Sequence, residues 1–123
     1  MITKDEILMG RDKEYPLDDT LESNLNKLHE ALNKFRTIYG KPMVVSSGYR
    51  PGKYNEIAHG ANNSAHLTCE ACDFEDNDGK LKKWILSHVN VLYDCGLYME
   101  HQDNTPTWCH LQTRKTINRI FKP

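Results

Sequence analysis

The stretch Ser64-Ala65-His66-Leu67-Thr68-Cys69-Glu70-Ala71-Cys72-Asp73 constrains the fold more than any other, because it sets a histidine and an aspartate seven positions apart beside a Gly60-Ala61-Asn62-Asn63 turn. An imidazole and a carboxylate are ordinary zinc ligands, and a mononuclear catalytic site takes three protein ligands and keeps one position for water. The third ligand has to come from elsewhere in the chain. Near the C-terminus, Trp108-Cys109-His110-Leu111-Gln112 alternates as a strand does, which puts Trp108, His110 and Gln112 on one face and Cys109 and Leu111 on the other. His110 is the expected third ligand, so the fold must bring His66, Asp73 and His110 onto one surface.

At 123 residues the chain reads as a single domain, 1–123, long enough to bury about two-thirds of its unfolded surface without a metal or disulfide staple. Sixteen Lys and Arg stand against 17 Asp and Glu, a formal charge of −1, so no basic excess points to nucleic acid or an anionic membrane. The start, Met1-Ile2-Thr3-Lys4-Asp5-Glu6, lacks the basic and apolar regions of a signal peptide, and no apolar run approaches the roughly 18 residues of a membrane span. A monomer made in the cytosol is expected.

Taken in order, Thr3 and Glu6 suggest a capping box for a short helix ending at Gly10, and residues 1–18 read as an N-terminal packing appendage. Asp19 with Glu22 suggests a second box. Leu21, Leu25, Leu28, Leu32 and Phe35 then recur at helical spacing up to Gly40, while His29 lies one step off that stripe and reads as a surface residue. Met43-Val44-Val45-Ser46 predicts a buried strand delivering Ser47-Gly48-Tyr49-Arg50 to one end of a sheet. Tyr54 to His59 allows one or two helical turns. Ala71 to Glu75 predicts a strand with Asp73 on the site face and Cys72 and Phe74 on the core face. Leu81, Trp84, Ile85, Val89 and Leu92 mark one helix, Leu97 to Glu100 a strand, and His101 to Thr107 a hairpin loop into the strand of His110. Thr113 onwards, 113–123, reads as a polar C-terminal tail. The sum is an α+β domain, a small antiparallel sheet flanked by helices with the site on one sheet face.

Ser64, His66, Ala71 and Asp73 form an S-x-H-x-x-x-x-A-x-D pattern, preceded by Ser47-Gly48-Tyr49-Arg50 and followed by Trp108-x-His110. In this order the four elements resemble the zinc D-Ala-D-Ala carboxypeptidases and their phage endolysin relatives, over roughly Leu21 to Gln112. The resemblance implies the hedgehog-like α+β fold of that family and Zn2+ held by His66, Asp73 and His110. It also implies hydrolysis of an amide bond in peptidoglycan stem or cross-bridge peptides, by carboxypeptidase or endopeptidase action, after release at phage lysis or as a virion component. Arg50 is implied as a substrate or oxyanion contact, and Ser64 as a substrate contact. Asn55 and Gly60 match positions that recur in the family.

Three such ligands carry a total charge of −1, leaving zinc electrophilic enough to lower the pKa of a water toward ~7. A proton shuttle is then required. Part of the family carries E-x-x-H at the third ligand, where this chain has Thr107, so Glu100 at the end of the preceding strand is the expected base, with His101 as its alternative. Other readings stand beside these. Arg50 can be a structural ion pair, Ser64 a turn serine, Trp108 a pocket wall or core residue, His59 a false first ligand and Glu70 a solvated charge. Cys69-x-x-Cys72 can be a redox pair or half of a zinc ribbon, although Cys95 and Cys109 make no second close pair. Cys69 also stands where the family often has glycine, which predicts a differently shaped loop. Together with Thr107 it keeps open a non-catalytic, metal-stabilised wall-binding or virion domain.

Overall fold

Leu25, Leu28, Leu32 and Phe35 are all buried by helix α2 (Asp19–Tyr39) in the computed structural model, which describes residues 1–123. Its cap is Asp18 rather than Asp19. The Asp18 carboxylate accepts from the Leu21 N–H at 2.8 Å, which leaves Asp19 as the first helical residue, where its charge favours the positive end of the helix dipole. Gly40 closes the helix at φ 74°.

Helix α1 (Lys4–Leu8) has the expected Thr3–Glu6 capping box but ends one residue early, with Met9 itself at φ 56°. The first residues pack into the core. Ile2, Ile7 and Leu8 are buried in the same core cluster as the α2 stripe, and the Ile7 carbonyl accepts from the Tyr49 N–H at 2.8 Å. A Cβ at Gly48 would collide with that carbonyl, so only glycine lets α1 lie this close to the strand end.

One five-stranded sheet runs in the order β1-β2-β4-β3-β5. Strand β1 (Val45–Ser47) begins two residues later than expected; Met43 is buried in the core without pairing, and Val44 is exposed. It pairs antiparallel with β2 (Ala71–Glu75), β2 with β4 (Trp108–Gln112), and β4 with β3 (Tyr98–Glu100). The expected polar tail supplies β5 (Ile120–Phe121), parallel to β3, so the sheet is not purely antiparallel. Met99 donates its N–H to Arg119 at 2.9 Å and His101 to Phe121 at 2.7 Å, which satisfies the edge of β3 that would otherwise stay open.

The helix expected from Leu81 to Leu92 is two helices, α4 (Lys80–Ser87) and α5 (Val89–Cys95). The His88 ring takes the Trp84 carbonyl at 2.7 Å, the acceptor its own N–H would use in a continuous helix, and that N–H turns to Ile85 instead. The chain breaks there at φ −138°. A short helix, α3 (Lys53–Ile57), follows β1. The core packs Cys72, Phe74, Met99, Cys109 and Leu111 from one sheet face against α2, α4 and α5. By strand alternation Asp73, His110 and Gln112 face the other way. No helix is long and apolar enough to cross a membrane.

Candidate metal centre

Asp73 and His110 are direct cross-strand partners in the β2–β4 ladder, on the face opposite the core. His66 reaches the same place from a 3-10 turn, Ala65–Thr68, that Ser64 starts by accepting the His66 N–H on its hydroxyl at 3.2 Å. The turn ends on Cys69 at φ 58°, ψ 31°. Cys69 itself therefore adopts the left-handed conformation that favours glycine. The strain of about 1–2 kcal/mol is opposed by complete burial of the thiol in the core.

The three side chains are almost fully buried, and their candidate ligand atoms all lie within 4.8 Å of one another. Their hydrogen bonds decide which atoms carry lone pairs. His66 Nδ1 lies 2.8 Å from the Gly48 carbonyl oxygen, which has no proton to give, so Nδ1 donates and Nε2 is left bare, 3.2 Å from Asp73 Oδ1. Gln112 donates its amide N–H to the Arg114 carbonyl at 3.0 Å, which turns its Oε1 toward His110 Nε2 at 2.7 Å. His110 Nε2 then carries the proton, and Nδ1 is bare against the same Asp73 Oδ1 at 2.9 Å. Two imidazole lone pairs and a carboxylate oxygen thus converge with no proton among them. Such a set is repulsive until a cation enters, and it is the donor set that suits zinc.

Without a cation one ring must take up a proton. Burial opposes this in both rings, but the Asp73 bond and charge, with Gln112 and Glu100, raise His110, whereas for His66 burial prevails and the value falls. Burial alone would raise the Asp73 carboxyl; the two rings packed against it, and the positive charge they can take up, hold it well below the usual carboxylate range.

These residues floor a cleft of about 770 Å³. Arg50 follows β1, its N–H bonded to the His66 carbonyl at 3.0 Å, and points its guanidinium into the cleft. Nη1 stands 3.9 Å from Asp73 Oδ2 and Nη2 3.5 Å from the Ser64 hydroxyl, while Nε is buried with no partner. The ion pair foreseen as the bland role for Arg50 is present, but it is long and leaves donors free. Asn55, buried nearby, holds the Ala61 carbonyl at 3.0 Å, and Gly60 passes so close that any Cβ there would strike the Asn55 amide. Glu100, half-buried, lies one step beyond the Met99–Leu111 pair and lines the cleft. Burial raises its carboxyl, as does Asp73, while His110 and Arg50 oppose the rise. Ser64 and Trp108 line the same cleft.

His59 sits on the cleft lining, outside the cluster. His101 accepts the Asp103 N–H at 3.1 Å and does not line the cleft. Glu70 is not solvated: it accepts from Thr68 at 2.5 Å and pairs with Arg114 at 3.1 Å. All four cysteines are free and buried. Burial pushes the Cys69 thiol up to about 12 and Cys72 and Cys109 well up too, which works against a redox thiolate, and no cysteine belongs to the cluster of candidate ligands. Gln112, the Gly48 carbonyl, Arg114 and Phe121, whose ring meets His110 edge-on at 5.9 Å, all support the site and were not assigned to it from the sequence. Only Gln112 carried a signal, its place on the His110 face.

A family model described as Peptidase M15 matches residues 2–110. No curated protein and no solved structure gives a significant match.

Proposed function

Because the chain belongs to the peptidase M15 family, whose members are metallopeptidases, typically of zinc, we propose that His66, Asp73 and His110 hold Zn2+ and that the cleft hydrolyses an amide bond in peptidoglycan stem or cross-bridge peptides. The observation that carries this reading is the convergence of two tautomer-fixed imidazole lone pairs and a carboxylate on one point. Zinc, when bound, supplies Lewis acidity that polarises a carbonyl and lowers the pKa of a water toward ~7. The chain's residues do the rest. Glu100, with its carboxyl raised by burial, accepts a proton from the attacking water and returns it to the leaving amine. Arg50, which lines the cleft, offers its loosely held Nη1 and Nη2 N–H groups to the substrate carbonyl as negative charge develops there. Ser64 and Trp108 contact the substrate from the walls. The motif resemblance to D-Ala-D-Ala carboxypeptidases and phage endolysins supports peptidoglycan as the substrate and action on the wall after phage lysis or from a virion.

The test is release of fragments from purified peptidoglycan, resolved by mass, with chelator and with zinc restored. Chelator-sensitive release is expected, and the masses name the bond and distinguish carboxypeptidase from endopeptidase action. Glu100→Gln should keep one zinc and lose roughly 10²–10⁴-fold in rate. Stoichiometric zinc with no release would replace this reading with a non-catalytic wall-binding or virion structural domain.

A further inference from the structure

The family match ends at His110, yet more than a third of the cleft lining comes from the segment beyond it. That segment is firmly tied down. At its start Arg114 bonds the Asn63 carbonyl at 2.6 Å, the Thr68 hydroxyl at 2.8 Å and the Glu70 carboxylate, joining it to the loop that carries His66. Farther along, β5 pairs with β3, the Arg119 guanidinium stacks on Tyr93 and Tyr98, and Phe121 rests against His110.

Between these anchors Ile117 lines the cleft and is 103% exposed, an apolar side chain held out in water rather than folded onto the core. The charges of the lining are equally uneven. Arg50 faces Asp73, and Arg114 is consumed by Glu70, Thr68 and Asn63. Lys122 makes neither an ion pair nor a hydrogen bond, so it is the one cation of the cleft with no partner in the protein.

We propose that the segment Thr113–Pro123 is the specificity wall of the cleft, with Ile117 covering an apolar part of the substrate peptide and Lys122 pairing with a carboxylate on it. The proposal rests on the peptidase reading and deepens it. Stem peptides fit such a wall, since they combine alanine methyl groups with free α-carboxylates. Arg50 remains with the reacting carbonyl, and Lys122 reads the acid farther along.

Binding tests the wall separately from turnover. The probes are the pentapeptide L-Ala-γ-D-Glu-L-Lys-D-Ala-D-Ala and a twin with both free α-carboxylates amidated, titrated into zinc-loaded Glu100→Gln protein by calorimetry. Adding Lys122→Gln should weaken the acidic peptide about threefold to fivefold, the range of an exposed ion pair, and leave the amidated twin unchanged. Adding Ile117→Ser should weaken both peptides alike, by about fivefold from lost apolar contact. Melting temperatures should not move, both side chains being exposed. Equal effects of Lys122→Gln on the two peptides, no effect of either change, or no binding of either peptide would overturn the wall. If the wild-type enzyme cleaves these peptides while the variants bind as the parent does, the wall fails and the peptidase reading stands. If nothing is cleaved but the binding pattern holds, the reverse is true.

Discussion

Asp73 and Asp76 lie three positions apart in the chain, both buried, and they are held in opposite ways. Asp76 is complete. It accepts the Leu81 and Lys82 N–H groups at 2.9 and 3.0 Å at the start of α4 and lies 3.5 Å from the Lys82 ammonium, which also donates to the Thr105 and Trp108 carbonyls. Every partner brings a proton. Asp73 instead faces two ring nitrogens whose protons are already committed to Gly48 and Gln112, and an arginine held at 3.9 Å. Burial of a carboxylate therefore does not by itself mark a site; a shell that withholds its protons does.

The largest effect should come from Asp73→Ala, which is expected to abolish stoichiometric zinc uptake and with it chelator-sensitive hydrolysis, read by metal analysis and peptide release. Asp76→Ala should do the opposite. It strands the Lys82 ammonium in the core and is expected to cost about 3–5 kcal/mol in denaturant unfolding, with zinc stoichiometry retained in whatever remains folded. If Asp73→Ala destabilises the metal-free protein as much as Asp76→Ala does, the contrast between the two carboxylates is wrong.

A smaller effect sharpens the same contrast. Gln112→Ala frees the His110 tautomer and should weaken zinc binding about 10–100-fold, while Gln112→Glu, which still accepts from Nε2, should recover part of it. Affinity measured by competition with a chelating dye decides between them. A wholly unchanged affinity would mean that the Gln112 contact does not select the ligating nitrogen.

The subtlest prediction concerns the metal-free protein and pH. His110 is raised above the ordinary 6.5, so its bond to Asp73 stabilises the fold below 6.5 and that contribution is lost as pH rises through the raised value. His66 is lowered, so the unfolded chain takes up a proton below 6.5 that the folded one refuses, and stability falls again on the acid side. The metal-free melting temperature should therefore peak near pH 6.5 and fall on both sides. Zinc should erase the alkaline limb, because a cation then stands where the proton was.

Much of this was legible in one dimension. The α2 stripe, the alternation of Ala71 to Glu75 and Trp108 to Gln112, and the residue types of His66, Asp73 and His110 carry their own periodicity and chemistry, so the helix, the two central strands and the triad's common face could be read directly. What misled was always a matter of neighbours. Residues 113–123 look polar because only Ile120 and Phe121 form a strand, and two residues have no period. Glu70 looks solvated until Arg114 folds back over it, and Cys69 looks like a misfit for a left-handed turn until the core accepts its thiol.

The sequence by itself determined the kinds of candidate ligand, the two strands that present Asp73 and His110 and the family to which the chain belongs, because those depend on local periodicity and side-chain chemistry. Only the tertiary structure decided which nitrogen of each histidine is bare, which carboxylate is satisfied and which is left waiting, and that the last residues wall the cleft. Those properties depend on where a carbonyl from Gly48, an amide from Gln112 and an ammonium from Lys122 end up in space, and no residue carries that in its own identity.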